Sequence, residues 1–390
     1  MNCRMKQSTI GRNIVDEISF GAIVKIRDQL LEMQRQGKKV YRLESGDPSF
    51  SLPPHVKEAI KQAIENNKTH YTDSTGIPEL RKAIAEKLVR KNKIKDATPE
   101  NVIVSNGGMN ALYVTFRSLL SPGDEVIIPD PMWTEIAEII KLAEGVPIRL
   151  PVENYIEEMQ KYEDDDKVKA VFVNSPHNPT GLVFTPKQID GIISFAESKG
   201  IFIVSDEAYE DVIFDGREHV SPGSKYDNTI SLFSMSKTYA MSGLRIGYAH
   251  TNSEILYDRM KKLLRCTING VNSATQYGAV AALTGPQEFV GQMRSEYQKR
   301  RDIIFNAVSK SRYLEPVKPG GTFYLWAKIK EYPKEVKDSW DMTYYLLDKT
   351  GVGSSPGPVF GPAGDGYIRF AFSADTEHVR EASELIEKFE

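Results

Sequence analysis

Cysteine is nearly missing from this sequence: Cys3 and Cys266 are the whole supply in 390 residues. Two thiols build neither a disulfide framework nor a Cys-rich metal site, and the six histidines show no HExxH-type spacing. No metal centre is expected, and a reducing, cytoplasmic setting fits best. Long apolar runs are lacking as well: nowhere do about 18 apolar residues follow one another. The opening MNCRMKQSTIGRNIV has a basic start but no apolar core of signal-peptide length. A soluble chain with no membrane partner is expected. Positive charge is not in excess either, because the net charge is −3. No broad basic surface is available to neutralise a phosphate backbone, so nucleic acid is not an expected partner. The low-apolar, high-charge composition of disordered chains is absent too, with 40% hydrophobic and 26% charged residues. The acidic run Glu163, Asp164, Asp165, Asp166 reads as a solvated loop.

What is present is enough chain for two domains, since 390 residues exceed the size at which one core usually stops growing. Residues 22–36 place Ile23, Ile26, Leu30 and Met33 at three- and four-residue steps, predicting an amphipathic helix ended by Gly37. From residue 101 short β-rich runs (NVIVS, EVIIP, KAVFVN, IFIVSD, TISLFS, RIGYAH) alternate with helical patterns such as MNALYVTFRSLL and PKQIDGIISFAESK. That alternation predicts an α/β fold: a three-layer large domain with a mostly parallel sheet covered by helices. A long helix from Pro286 to Ser309 follows, then strands TFYLWAKI and YIRFAFS with helices between and after them. These predict a smaller α+β domain. The expected division is 46–285 for the large domain and 1–45 plus 286–390 for the small one.

In an open α/β sheet, ligands sit beyond the carboxyl ends of the strands, so the polar residues there are the candidates. VIVSNGGMNAL sets Gly107 and Gly108 between strand and helix, a cradle of bare N–H groups for a phosphate or simply a tight turn. Trp133 in PDPMW is able to stack on an aromatic ligand or to fill the core. Asn178 in VNSPHNPTG belongs to a turn at a strand end. Asp206 closes the apolar run IFIVSD, three residues before Tyr209, and a carboxylate there needs a cationic or hydrogen-bonding partner. Lys237 in SLFSMSKTYAMSGLRIGYAH is either a surface cation or a nucleophile. A lysine in water, with a pKa near ~10.4, does not attack as a free amine. Arg245 offers a bidentate fork for a phosphate, and Arg369 interrupts the β-rich YIRFAFS. One ligand accounts for the set: pyridoxal 5'-phosphate has the phosphate, the ring, the ring nitrogen, the ring hydroxyl and an aldehyde for Lys237.

With these residues in place, the chain resembles the fold-type I pyridoxal phosphate enzymes, and among them class I aminotransferases near the prokaryotic aspartate aminotransferases. ESGDPSF, HYTDSTGIPELRKAIAEKL, NGGMNAL, PGDEVIIPDPMW, NSPHNPTG, SDEAYED, SMSKTYAMSGLRIGY, GGTFYLW and YIRFAFS occur in family order. The resemblance implies that Lys237 binds the cofactor as a Schiff base and then moves the substrate proton. It implies that Asp206 pairs with the ring nitrogen, that Tyr209 and Asn178 bind the ring hydroxyl, and that Trp133 stacks on the ring. Gly107, Gly108, Met109, Ser234 and Arg245 would hold the phosphate, while Arg369, Asn178 and the Gly46 backbone would grip the substrate carboxylate. Tyr71 would reach the phosphate of a neighbouring subunit, implying a homodimer with shared sites. The implied reaction moves an amino group from an L-amino acid to a 2-oxo acid such as 2-oxoglutarate, in a ping-pong cycle.

Met109 stands where relatives often carry a lysine for the distal carboxylate of aspartate. Aromatic or neutral donors are therefore an alternative, with Phe20, Phe323 and Tyr324 as pocket walls or core. A cystathionine β-lyase-like or aminocyclopropane-carboxylate synthase-like activity is a further alternative on the same scaffold. A non-catalytic, ligand-sensing protein is the alternative of another class, and loss of the lysine or the aspartate would be its signature; both are present.

Overall fold

A computed structural model of the chain describes residues 11, 13–19 and 23–389, without the side chains of 23–25. Cys3 and Phe20 lie outside the described residues. A seven-stranded sheet forms the larger layer. Its strands are β1 (Val102–Ser105), β2 (Glu125–Asp130), β3 (Val146–Pro151), β4 (Val168–Asn174), β5 (Phe202–Asp206), β6 (Thr229–Ser234) and β7 (Gly247–Thr251). They stand in the order β1-β7-β6-β5-β4-β2-β3. Strand β7 runs antiparallel to both of its neighbours, and the other pairs are parallel.

Alternation along the strands sorts their side chains between the two faces, as a period of two requires. Val126, Ile128, Phe172, Val204 and Ile230 enter one core with the helix Gly108–Leu119. Ile127, Val171, Val173 and Ile203 enter another, covered by the helix Pro186–Lys199. Both faces are therefore apolar, and each wholly buried Ile or Phe contributes about 1.5–3 kcal/mol. The helix Pro186–Lys199 begins on a capping box between Thr185 and Gln188 and stops at Gly200, which is left-handed.

A second sheet has four antiparallel strands in the order β10-β11-β9-β8: β8 (Leu314–Val317), β9 (Tyr324–Ile329), β10 (Ser355–Pro356) and β11 (Tyr367–Ala371). Its core holds Leu325, Phe370, Met342 and Ile304, the last from the 23-residue helix Glu288–Lys310. Tyr209, Val212 and Phe214, which follow β5, pack into this same core. The edge strand β3 was not evident from the sequence. The acidic run at 163–166 lies in a turn region with Glu163, Asp164 and Asp166 exposed.

Candidate active site

The carboxyl ends of β1, β4, β5 and β6 meet at one edge of the large sheet, where Asn174 lies beside Asp206 in register. The reversed strand β7 starts at that edge: its Gly247 pairs with Ser105 of β1 and with Ser234 of β6. Reversal brings Arg245, two residues before Gly247, to the same place as the other strand ends.

A cavity of about 230 Å3 opens there, lined by Gly108, Met109, Trp133, Asn178, Asp206, Tyr209, Ser234, Lys237, Arg245 and Tyr324, among others. A second cavity of about 350 Å3 shares Trp133, Asn178, Lys237 and Tyr324 with it and adds Gly46, Arg27 and Arg369. Gly107 directly precedes Gly108 of the first cavity and lies against Arg245. Tyr71 stands apart from these walls, 90% exposed.

Lys237 sits in a one-turn helix, Met235–Thr238, begun by Ser234, whose hydroxyl accepts from Ser236 N at 3.2 Å. Its Nζ donates to the Gly46 carbonyl at 2.8 Å and lies 5.5 Å from the Phe323 ring centroid. Asp206 accepts a hydrogen bond from Ala208 N at 3.1 Å. Burial pushes its carboxyl up to about 6, helped by nearby Glu207 and opposed by that hydrogen bond and by Lys237. Among the described residues no cation forms an ion pair with Asp206. A cationic ring nitrogen is the partner that would hold it ionised.

Tyr209 and Tyr324 share a hydrogen bond between hydroxyls at 3.1 Å. Burial first, and then the Tyr324 hydroxyl, raises the Tyr209 phenol well above its ordinary pKa. Asn178 is held by its own N–H donating to Asn174 Oδ1 at 2.9 Å, while Asn174 Nδ2 donates to the Asp206 carbonyl at 3.1 Å. Asn174 thus positions both neighbours. It was not singled out in the sequence, although a polar residue ending the apolar run KAVFVN satisfies the strand-end rule.

Gly107 has φ +84°, and a Cβ there would lie 2.7 Å from Arg245 Nη2. Only glycine allows this guanidinium to close over the helix N-terminus, whose cap position carries no side-chain acceptor. Bare N–H groups, the Ser234 hydroxyl and Arg245 form a cradle for an anion. Arg369 is 4% exposed, and burial lowers the pKa of its guanidinium. It donates to Asn178 Oδ1 at 2.9 Å and to the Glu44 carbonyl at 2.9 Å, while Nε is buried without a partner. No carboxylate pairs with it among the described residues, so a carboxylate ligand is the group it lacks. Phe323 is wholly buried, whereas Tyr324 lines both cavities, which separates these two candidate walls.

A lysine-bearing turn, an anion cradle, an aspartate with no ion-paired cation and a buried arginine with no carboxylate partner line neighbouring cavities that share four residues, an arrangement suited to small anionic molecules. A profile of the family described as aminotransferase class I and II matches residues 38–386. A probable aspartate/prephenate aminotransferase of Aquifex aeolicus is 35% identical over 369 residues, which is 92% of each chain. The solved structure of aspartate aminotransferase from Thermus thermophilus with maleate matches with a TM-score of 0.89 and 34% identity, over 97% of this chain and 99% of that one. Alanine aminotransferase from Pyrococcus furiosus matches with a TM-score of 0.91 and 32% identity over the same shares. The chain belongs to the class I and II aminotransferase family.

Proposed function

We propose that this chain is an aspartate aminotransferase-like enzyme that uses pyridoxal 5'-phosphate to move an amino group from an L-amino acid to a 2-oxo acid, with 2-oxoglutarate as acceptor. The observation that carries the reading is Asp206: a half-buried wall of the cavity, pushed up to about 6 and with no ion-paired cation among the described residues. The residues fit the cofactor. Gly107, Gly108, the Met109 backbone, Ser234 and Arg245 would hold its phosphate, Trp133 its ring face, Asn178 and Tyr209 its ring hydroxyl, and Asp206 its ring nitrogen. When bound, it supplies an electron sink for the pair left when the substrate Cα loses its proton.

The chain's own groups perform the rest. Lys237 Nζ would hold the cofactor covalently and, once freed by the substrate amine, would serve as the base for the Cα proton. Its 2.8 Å bond to the Gly46 carbonyl keeps Nζ beside the Arg369 side of the cavity. Arg369, with Asn178 and the Gly46 backbone, binds the substrate α-carboxylate, a charged hydrogen bond being worth about 1.5–3 kcal/mol. The same groups serve both half-reactions, because donor and acceptor share the α-carboxylate.

Two copies are proposed to form a homodimer in which Tyr71 serves the partner's phosphate cradle; its 90% exposure leaves it free to do so. The small domain is taken as 1–45 plus 286–390 and the large one as 46–285. A cytoplasmic setting is consistent with the absence, among the described residues, of any helix long and apolar enough to cross a membrane.

The test is spectroscopic first. Purified protein should carry a visible cofactor absorption band that Lys237→Ala abolishes, and it should transfer amine from an amino acid to 2-oxoglutarate. A wild type that binds no cofactor sinks the reading. Release of pyruvate and ammonia from cystathionine without amine transfer would replace it with lyase chemistry.

A further inference from the structure

Two residues before Gly46, whose carbonyl accepts from Lys237, Glu44 puts a carboxylate into the wall of the cavity that also contains Arg369. Its side chain is 1% exposed. A buried negative charge beside the arginine that is to receive a substrate carboxylate opposes that binding unless a cation offsets it. Resting on the aminotransferase reading above, we propose that Arg42 is a positioning residue for substrate: it offsets the charge of Glu44 and so leaves the Arg369 guanidinium to the α-carboxylate of donor and acceptor alike.

Local structure sets the pair. Tyr41–Arg42 is a short strand parallel to Val352–Gly353, and the next residue continues the pairing, with Leu43 N donating to the Gly353 carbonyl at 3.1 Å. Residues two apart in extended chain share a side. Tyr41 and Leu43 accordingly enter the core of the small sheet, while Arg42 and Glu44 meet each other. Arg42 Nε and Nη2 both donate to Glu44 Oε1, at 2.9 and 2.7 Å, and Oε2 is buried with no partner. Among the described residues, Arg42 is the one cation in ion-pair distance of this carboxylate.

Glu44 meets Arg369 through its backbone, its carbonyl accepting from Nη2 at 2.9 Å. The guanidinium otherwise lies over the rings of Tyr324 and Phe360, 4.1 and 4.6 Å from their centroids. Burial lowers its pKa, and Tyr324, Tyr209, Glu135 and Glu44 oppose that. Glu135 is only half-buried and lines a different cavity, whereas Glu44 is sealed from water and depends on a protein cation.

Arg42 itself lines the Arg369 cavity, with its side chain 33% exposed. A direct grip on a second substrate carboxylate is therefore the competing role. Offsetting Glu44 helps every substrate, because all carry an α-carboxylate. A direct grip helps dicarboxylates alone.

The experiment compares alanine and aspartate as donors to the holoenzyme, with the absorption spectrum recorded beside the kinetics. Arg42→Met should raise KM for both donors by about 10-fold or more, with kcat and the visible cofactor band kept. Adding Glu44→Gln should recover most of that loss. Glu44→Gln alone removes the negative charge and should lower KM, whereas damage to the fold would raise it. Calorimetric titration with butyrate, which has one carboxylate and no amine, repeats the comparison without chemistry: Arg42→Met should weaken it and the double variant restore it. A KM rise confined to aspartate, a loss that Glu44→Gln does not recover, or a rise in KM in Glu44→Gln alone overturns the proposal. A missing cofactor band in wild type sinks the aminotransferase reading, whereas an Arg42→Met variant with its band intact and KM unchanged sinks this proposal alone.

Discussion

Arg369 Nη1 donates to Asn178 Oδ1 at 2.9 Å, tying strand β11 of the small sheet to the turn beyond β4 of the large one. This bond occupies the oxygen of the Asn178 amide, so the Nδ2 donor is what remains for a ligand oxygen. One amide therefore orients the arginine and, in the proposed complex, would offer a donor to the cofactor's ring hydroxyl. Arg369→Leu is expected to raise KM about 10- to 150-fold for every amino donor, the equivalent of a lost charged hydrogen bond at about 1.5–3 kcal/mol. The visible cofactor band should stay in place, because the proposed role of Arg369 is to bind the substrate carboxylate and not the cofactor. Asn178→Ala should instead raise KM and shift the band together. Absorption spectra recorded beside the steady-state kinetics distinguish the two variants.

Asp206 makes the cofactor-free protein pH-dependent in a direction opposite to most carboxylates. Its folded pKa, about 6, stands above the ordinary 3.8 because burial disfavours the anion. The folded state thus holds a proton that the unfolded chain has lost, and stability falls as pH rises from ~4 to ~6. Measured against Asp206→Asn in chemical denaturation of apoprotein, wild type should lose on the order of 1 kcal/mol or more across that window; the difference cancels His177 and His250, whose burial lowers their pKa values and acts in the opposite direction. Asp206→Asn should abolish the loss and leave the apoprotein more stable than wild type at pH 7. The same variant should bind cofactor more weakly, because the amide is not an anion for the ring nitrogen. A flat difference between wild type and Asp206→Asn from pH ~4 to ~6 would refute the assignment.

Behind the site, Glu210 lies in a buried ion pair with Lys87, 2.5 Å apart, with both side chains 7% exposed. Burial alone would raise the Glu210 carboxyl, but Lys87 and Lys91 overcome it and bring it down to about 2. The carboxyl is then a group with depressed pKa. The stability it contributes is present above its ordinary 4.5 and is lost as pH falls through about 2. Lys87→Met removes the nearer cation and should cost up to about 3–5 kcal/mol at neutral pH, since it leaves the buried carboxylate with Lys91, at 3.4 Å, as its remaining ion-pair partner. The midpoint of acid unfolding should also move to higher pH. Adding Glu210→Leu should restore much of the loss, which denaturant titration of the single and double variants measures.

Much of this architecture could be read before any coordinates, for reasons particular to each element. The alternating apolar runs predict the strands of the large sheet because a strand buried on both faces has nothing polar to hide. Strand β3 escaped because Pro147 and Pro151 bracket it and Val146 is exposed, as befits an edge. The direction of β7 also escaped, since periodicity is the same either way along a chain. That reversal is what carries Arg245 to the edge where Gly107 lies. Asp206, Asn178 and Lys237 stood out as polar residues ending or following apolar runs. Tyr324 could not be told from Phe323 by sequence: neighbours on a strand point to opposite sides, and only packing decides which side is the cavity.

The anion cradle rests on a single missing methyl group. At Gly107 the backbone φ of +84° already disfavours any other residue, and a Cβ would lie 2.7 Å from Arg245 Nη2. The guanidinium is the part that yields, since it ends a flexible, exposed side chain held by Nη1 donating to the Ser242 carbonyl at 2.7 Å. Gly107→Ala should therefore displace Arg245 from the N-terminus of the helix Gly108–Leu119 and weaken the hold on a phosphate. An arginine–phosphate contact of about 1.5–3 kcal/mol sets the scale, a 10- to 150-fold rise in the dissociation constant of the cofactor. Fluorescence titration of apoprotein with pyridoxal 5'-phosphate measures that rise. Titration with pyridoxal, which has the ring and the aldehyde but no phosphate, serves as the control. Gly107→Ala should leave pyridoxal binding unchanged, whereas an equal loss for both ligands would place the damage in the fold of the turn rather than in the cradle.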